Sequence, residues 1–199
     1  MIGIKFITKD GKLIALDKLL KIVEGSLSFL SHAEREIHEG HSFTVQAVDD
    51  TLDDAATLNI AFKTGDGDKI AHFLCSCTTL VGGSLKLYEA PTWTTNTGTA
   101  TTIYNRYRSE NPLESSFLED KTATPDFTAT NKVLVNVTGL AGGTELMSRY
   151  SWGEKGKVES GDYRAINEWL LKPNTQYAVL FTAIGASNKA QIFLNWTEH

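Results

Sequence analysis

The segment Glu36-Ile37-His38-Glu39-Gly40-His41-Ser42-Phe43 sets two histidines and two carboxylates within six residues. Imidazole nitrogens and carboxylate oxygens are zinc ligands, and the same groups move protons in acid–base catalysis. The order His38-Glu39-Gly40-His41 resembles a shortened H-E-x-x-H motif, which needs its histidines four apart on one helix face. Here the spacing is three, Gly40 discourages a helix, and no third ligand is evident. The segment therefore reads as a loop-to-strand junction, with His38 and His41 hydrogen-bonded to fix where the preceding chain leaves the domain, and no metal is expected.

Other constellations are weaker. Aspartates 49, 50, 53, 54, 66 and 68 offer hard oxygen ligands for calcium, but their spacing is not that of an EF-hand and matches solvated turns instead. There is no G-x-S-x-G elbow and no glycine-rich loop followed by lysine and a helix. Cys75 and Cys77 sit two apart in an apolar run, where a strand would put both thiols on one face in poor geometry for a bridge. They read as reduced core thiols. Catalysis and cofactors are thus not expected.

Two sets of residues suggest contacts. Trp93 and Trp152 fall at predicted loops or strand ends, where an indole could stack on a sugar or a partner protein, whereas Trp169 and Trp196 fall within strands and read as core. Arg106 and Arg108 share a face if Thr101–Tyr107 is extended, with Tyr104 on the same strand; this is either a partner contact or a solvated face with local ion pairs.

The elements that must position these residues are strands. The chain has 199 residues, 41% hydrophobic and 22% charged, which is enough for one main domain with an appendage. Short apolar runs begin at Phe43 and continue through Leu58–Lys63, Lys69–Ser76, Ser84–Glu89, Thr101–Tyr107, Lys132–Thr138, Thr144–Trp152, Ile166–Leu171, Gln176–Ile184 and Gln191–Thr197. Glycine and asparagine turns punctuate them, and no long amphipathic helix intervenes. This pattern predicts an all-β chain, a two-sheet antiparallel β-sandwich or jelly roll over residues 36–199.

Residues 1–35 differ. Leu13, Leu16, Leu20, Val23, Leu27 and Leu30 tolerate a helical reading, but Ile2, Ile4 and Phe6 alternate cleanly ahead of Asp10-Gly11, and the same pattern recurs around Glu24-Gly25. Two hairpins in tandem are expected. Two-stranded ribbons are marginal by themselves, so they read as an arm that lies against a domain, a second subunit or a larger assembly.

A net charge of −5 supplies no positive field for phosphates, which argues against nucleic acid. No apolar run approaches the ~20 residues of a membrane span, and the first residues lack a signal peptide's basic-then-apolar order. Folding in a reducing cytoplasm is the expectation.

The segments REIHEGHSF (35–43), LKLYEAPT (85–92), IYNRYRSE (103–110) and NEWLLKPNTQYAVLFTAIGASNKAQIFLNWTEH (167–199) together resemble a family of tailed-bacteriophage capsid decoration, or cement, proteins. The resemblance covers residues 35–199 and, more loosely, the arm. Tyr107 departs from the asparagine expected between the two arginines. It implies a β-sandwich on the outside of the head that bridges major capsid protein subunits, self-associates as a trimer or dimer, and is made in the bacterial cytoplasm. The arm, including Ile4, Phe6, Leu27 and Phe29, and the face carrying Arg106, Arg108, Trp93 or Trp152 are then the expected docking residues. The competing expectation is a carbohydrate-binding jelly roll of a head-fibre or receptor-binding apparatus.

Overall fold

The computed structural model describes residues 5–7, 13–15, 21–23, 26–28, 32–65, 67, 69–110, 112–119, 129–130, 132–151 and 168–199. Within the first 28 residues, β1 (Lys5–Ile7) pairs antiparallel with β2 (Leu13–Ala15), and β3 (Lys21–Val23) with β4 (Ser26–Ser28). These are the two expected hairpins. Ile4, Phe29 and Trp152 lie outside the described residues.

A helix, α1 (His32–His38), follows, where the sequence reading placed only a junction with its boundary at 35/36. Ala33, Glu34 and Arg35 are good helix formers, with Glu34 in the first turn and Arg35 and His38 in the last, complementing the helix dipole. Gly40 does not prevent this helix but ends it. It takes φ +80°, Gly40 N donates to Ile37 O at 3.1 Å, and His41 N donates to Glu36 O at 2.9 Å. Those two bonds form a Schellman cap, which needs a left-handed residue at the position Gly40 holds.

The remaining strands build an antiparallel two-sheet sandwich. One sheet has the order β10 (Tyr104–Asn105), β5 (Ser42–Leu52), β17 (Asn188–Glu198), β7 (Ala71–Thr79), β15 (Trp169–Leu171). The other runs β12 (Ala129–Thr130), β11 (Leu118–Glu119), β6 (Thr57–Lys63), β16 (Gln176–Ala183), β8 (Gly83–Glu89), β14 (Thr144–Ser151); β13 (Lys132–Val135) also pairs with β6 and carries β9 (Thr99–Thr102). Strand β5 extends through Asp49 and Asp50, which the sequence suggested as a loop. The run at 101–107 is not one strand. It breaks at buried Ile103, so that β9 belongs to one sheet and β10 to the other.

Alternation supplies the core. Phe43, Val45 and Ala47 of β5 and Ile192, Leu194 and Trp196 of β17 face Leu58, Ile60 and Phe62 of β6 and Val179 and Phe181 of β16. A column of rings joins the layers. Phe117 stacks on Phe62 (centroids 4.5 Å, planes 8° apart) and on Trp196 (4.5 Å, 3°), and Phe43 lies beyond at 5.9 Å from Trp196. Trp196 is fully buried and Trp169 packs against the core, as their strand positions suggested.

Candidate functional site

The Schellman cap decides the geometry around Glu36. Its long-range bond folds His41 back over the last helical turn, bringing His41 Nδ1 to 3.4 Å from Glu36 Oε2. Strand β17 delivers a third group. Thr197 pairs with Ser42 across the β5–β17 ladder, Glu198 N donates to His41 O at 3.0 Å, and the chain carries His199 alongside. His199 Nδ1 lies 3.3 Å from the same Oε2 of Glu36. The Glu36 side chain is fully buried, whereas those of His41 and His199 are 39% and 34% exposed.

The His199 ring lies edge-on between two others, 5.9 Å from His41 and 5.4 Å from His72. His72 turns its own Nδ1 to Glu168 at 3.6 Å. His38, half of the short motif seen in the sequence, is exposed and outside the cluster. The spacing that matters is therefore 36 to 41, set by the helix cap, and not 38 to 41.

The same end of the sheet is braced from below. Glu198, also buried, accepts from Trp196 Nε1 (2.8 Å), Ser115 Oγ (2.6 Å) and Ser116 N (2.9 Å). Buried Asn105 donates from Nδ2 to Gly40 O at 2.7 Å and to Leu113 O at 2.9 Å, and accepts from Tyr107 N at 2.8 Å. Asn105 thus fixes the helix cap from the side.

A second feature is the back of the five-stranded sheet. Alternation turns Thr44, Gln46 and Val48 of β5 away from the core, and register sets them in rows with their neighbours: Thr44–Asn195–Leu74, Gln46–Phe193–Ser76 and Val48–Gln191–Thr78. None of these nine side chains is charged, in a chain of which 22% is Asp, Glu, Lys or Arg; Gln46 and Val48 are exposed, Leu74 is buried and the others are half-buried. Exposed Val48, Tyr104 and Leu170 lie at its margins, while Asp50 and Lys189 mark the end away from the histidines. With strands ~4.8 Å apart and alternate residues ~6.8 Å apart, three rows across the three long strands present roughly 300 Å².

The predicted contact residues fare differently. Phe6 lies in β1 and Leu27 in β4. Arg106 and Arg108 are exposed but lie past the end of β10, not on a strand face. Arg106 N instead donates to Ser42 O at 2.8 Å, and the Arg108 guanidinium sits 5.8 Å from the centre of the Tyr104 ring.

Trp93 is not a stacking platform. It is buried, at 8% exposure, with Ala61, Leu134, Val137 and Ala178 on the reverse side of the larger sheet. The Thr92–Ala141 bridge and a bond from Thr94 N to Thr138 O (2.8 Å) hold its loop there. Small Ala61 and Ala178 leave the recess that the indole fills.

The aspartates do not gather. Asp49 accepts from Thr51 N and Oγ1 at 2.9 and 3.0 Å, Asp54 accepts from Gly185 N at 2.7 Å, and Asp66 and Asp68 lie outside the described residues. Cys75 and Cys77 are unbridged, and burial pushes their thiols up to about 12 and about 11. No helix among the described residues is long and apolar enough to cross a membrane. Comparison with protein-family models, with curated proteins and with solved structures found no match.

Proposed function

We propose that this protein is a structural virion protein that decorates the outside of a tailed-phage capsid by bridging major capsid protein subunits. The observation that carries the reading is the uncharged back of the five-stranded sheet. Depletion of charge distinguishes the buried centre of a protein–protein interface from ordinary surface, where lysine and glutamate prevail. On this reading a sheet face, more than the arginines, meets the shell.

The area fits shared docking. A face of roughly 300 Å² is well under half of the ~800 Å² per partner of a stable interface, so the hairpin arm, or a second copy of the chain in a dimer or trimer, supplies the rest. Repetition over an icosahedral shell then adds avidity to modest single contacts. The net charge of −5 suits the exterior of a head better than its DNA-lined interior. The sequence resemblance over residues 35–199 points the same way, and no enzymatic role is part of this reading. The carbohydrate-binding alternative loses Trp93, its principal described residue, to the second core.

Purified protein added to expanded heads of its phage is expected to bind saturably and to raise their resistance to heat. Absence of binding, or equal binding to unrelated particles, overturns the proposal.

A further inference from the structure

We propose that Glu36, His41 and His199 form a binding site for a divalent transition metal, zinc by preference. Each offers one ligand atom, and the three atoms lie within 4.8 Å of one another, the one such group of three among the described residues. Two imidazoles and a carboxylate are a ligand set that zinc takes in three-coordinate protein sites, with a fourth position left to water or another donor.

The distances carry the argument. Zinc bonds of ~2.05 Å arranged tetrahedrally put neighbouring ligand atoms ~3.3–3.4 Å apart, because the edge of a tetrahedron is about 1.63 times the centre-to-corner distance. The contacts from Glu36 Oε2 are 3.3 Å to His199 and 3.4 Å to His41. A charge-assisted hydrogen bond between the same atoms would close to ~2.7–2.9 Å. Moreover, His41 Nδ1 is buried and makes no hydrogen bond, although its ring is partly exposed. A nitrogen held dry beside a carboxylate, with both imidazole–carboxylate spacings near the edge of a zinc tetrahedron, is arranged for a cation between them.

The supports are rigid. The backbones of Glu36 and His41 are fixed by the helix cap, and that of His199 by the bonds between Ile70 and His199 (2.9 and 3.2 Å) at the end of the ladder. His72 packs its ring against His199 and restrains that imidazole from the other side. Bound metal would tie α1 and the start of β5 to the end of β17.

The test uses the untagged full chain, stripped with chelator and dialysed against zinc, with bound metal counted by elemental analysis. The expected result is one zinc per chain and a melting temperature that climbs with zinc concentration. His199→Ala and Glu36→Gln should each lower zinc affinity by more than about 100-fold, since loss of a ligand exceeds the cost of losing its outer partners. His38→Ala, outside the cluster, should leave it unchanged. Should Glu36→Gln fail to fold, the partly exposed His199 carries the comparison. Cobalt(II) on the unmodified protein gives an independent reading: the strong visible absorption of a tetrahedral site is expected. Failure to bind zinc, zinc binding unaltered in His199→Ala, or the faint spectrum of octahedral cobalt overturns the proposal.

Discussion

Trp196 donates its indole N–H to Glu198 across two residues of the same strand, at 2.8 Å. Both side chains point into the sandwich, so the carboxylate is buried under the ring column and answers Ser115 and Ser116 as well. Glu198→Ala removes the acceptor for three donors at once. It is expected to cost about 3 kcal/mol of stability or more, because each orphaned buried donor carries a desolvation penalty. Urea denaturation followed by tryptophan fluorescence reads this directly; a loss under about 1 kcal/mol would show that water replaces the carboxylate.

Gly40 occupies the left-handed position of the helix cap, yet a methyl there would fit: it would meet Leu113 at 3.7 Å and Tyr107 at 3.8 Å, ordinary contacts. The effect of Gly40→Ala is therefore conformational, about 1–2 kcal/mol of destabilisation, with the sandwich still formed. Gly40→Asn should cost less, since asparagine tolerates this conformation. Equal stabilities of the three proteins would refute the cap's role.

The thiols give the fold a signature at high pH. Burial raises Cys75 from 9.0 to about 12 and Cys77 from 9.0 to about 11, opposed in part by nearby Arg149. The folded protein holds these protons while the unfolded chain releases them, so the contribution to stability is intact below pH 9 and is lost progressively as pH rises toward 11–12. The urea midpoint is expected to fall over that interval, and Cys75→Ala should flatten the fall. In native protein at neutral pH, Cys75 should resist alkylating reagents that modify it readily in urea.

Phe193 occupies the centre of the uncharged sheet face, between Gln46 and Ser76. Phe193→Glu puts a charge where docking would desolvate it, so binding to expanded heads should drop by at least about tenfold, while unfolding shifts by less than about 1 kcal/mol. Glutamate at Thr182, on the back of the other sheet, is the control and should bind as the unmodified protein does. A Phe193→Glu variant that binds normally would move the docking surface elsewhere.

Much of the sandwich was legible because alternation is written into each strand: Phe43, Val45 and Ala47, or Ile192, Leu194 and Trp196, announce their inner face. The hairpins were legible from Asp10-Gly11 and Glu24-Gly25. Helix α1 was not, since seven residues make barely two turns and give periodicity nothing to repeat. The break at Ile103 left no mark, because residues on either side keep β propensity while changing partners. Trp93 misled through its loop position; the alanines at 61 and 178, small residues in bulky strands, were the available signal of a recess.

The site cluster shows the same division. Glu36 and His41 stand in plain view, but the pair His38 and His41 has the look of a motif and masks them. His199 could be found only by pairing β5 with β17, a relation between distant segments.

That pairing has a mechanical side. Strands β5 and β17 are antiparallel, and the Ser42–Thr197 end of their ladder lies beside Glu36 and His199. Tension that draws residue 36 away from residue 199 would load this ladder as a zipper, one hydrogen-bonded pair at a time, the weakest way to pull a sheet apart. The Glu36–His199 contact stands at the first tooth. Beside it the bond from Glu198 N to His41 O and the two between Ile70 and His199 share the load.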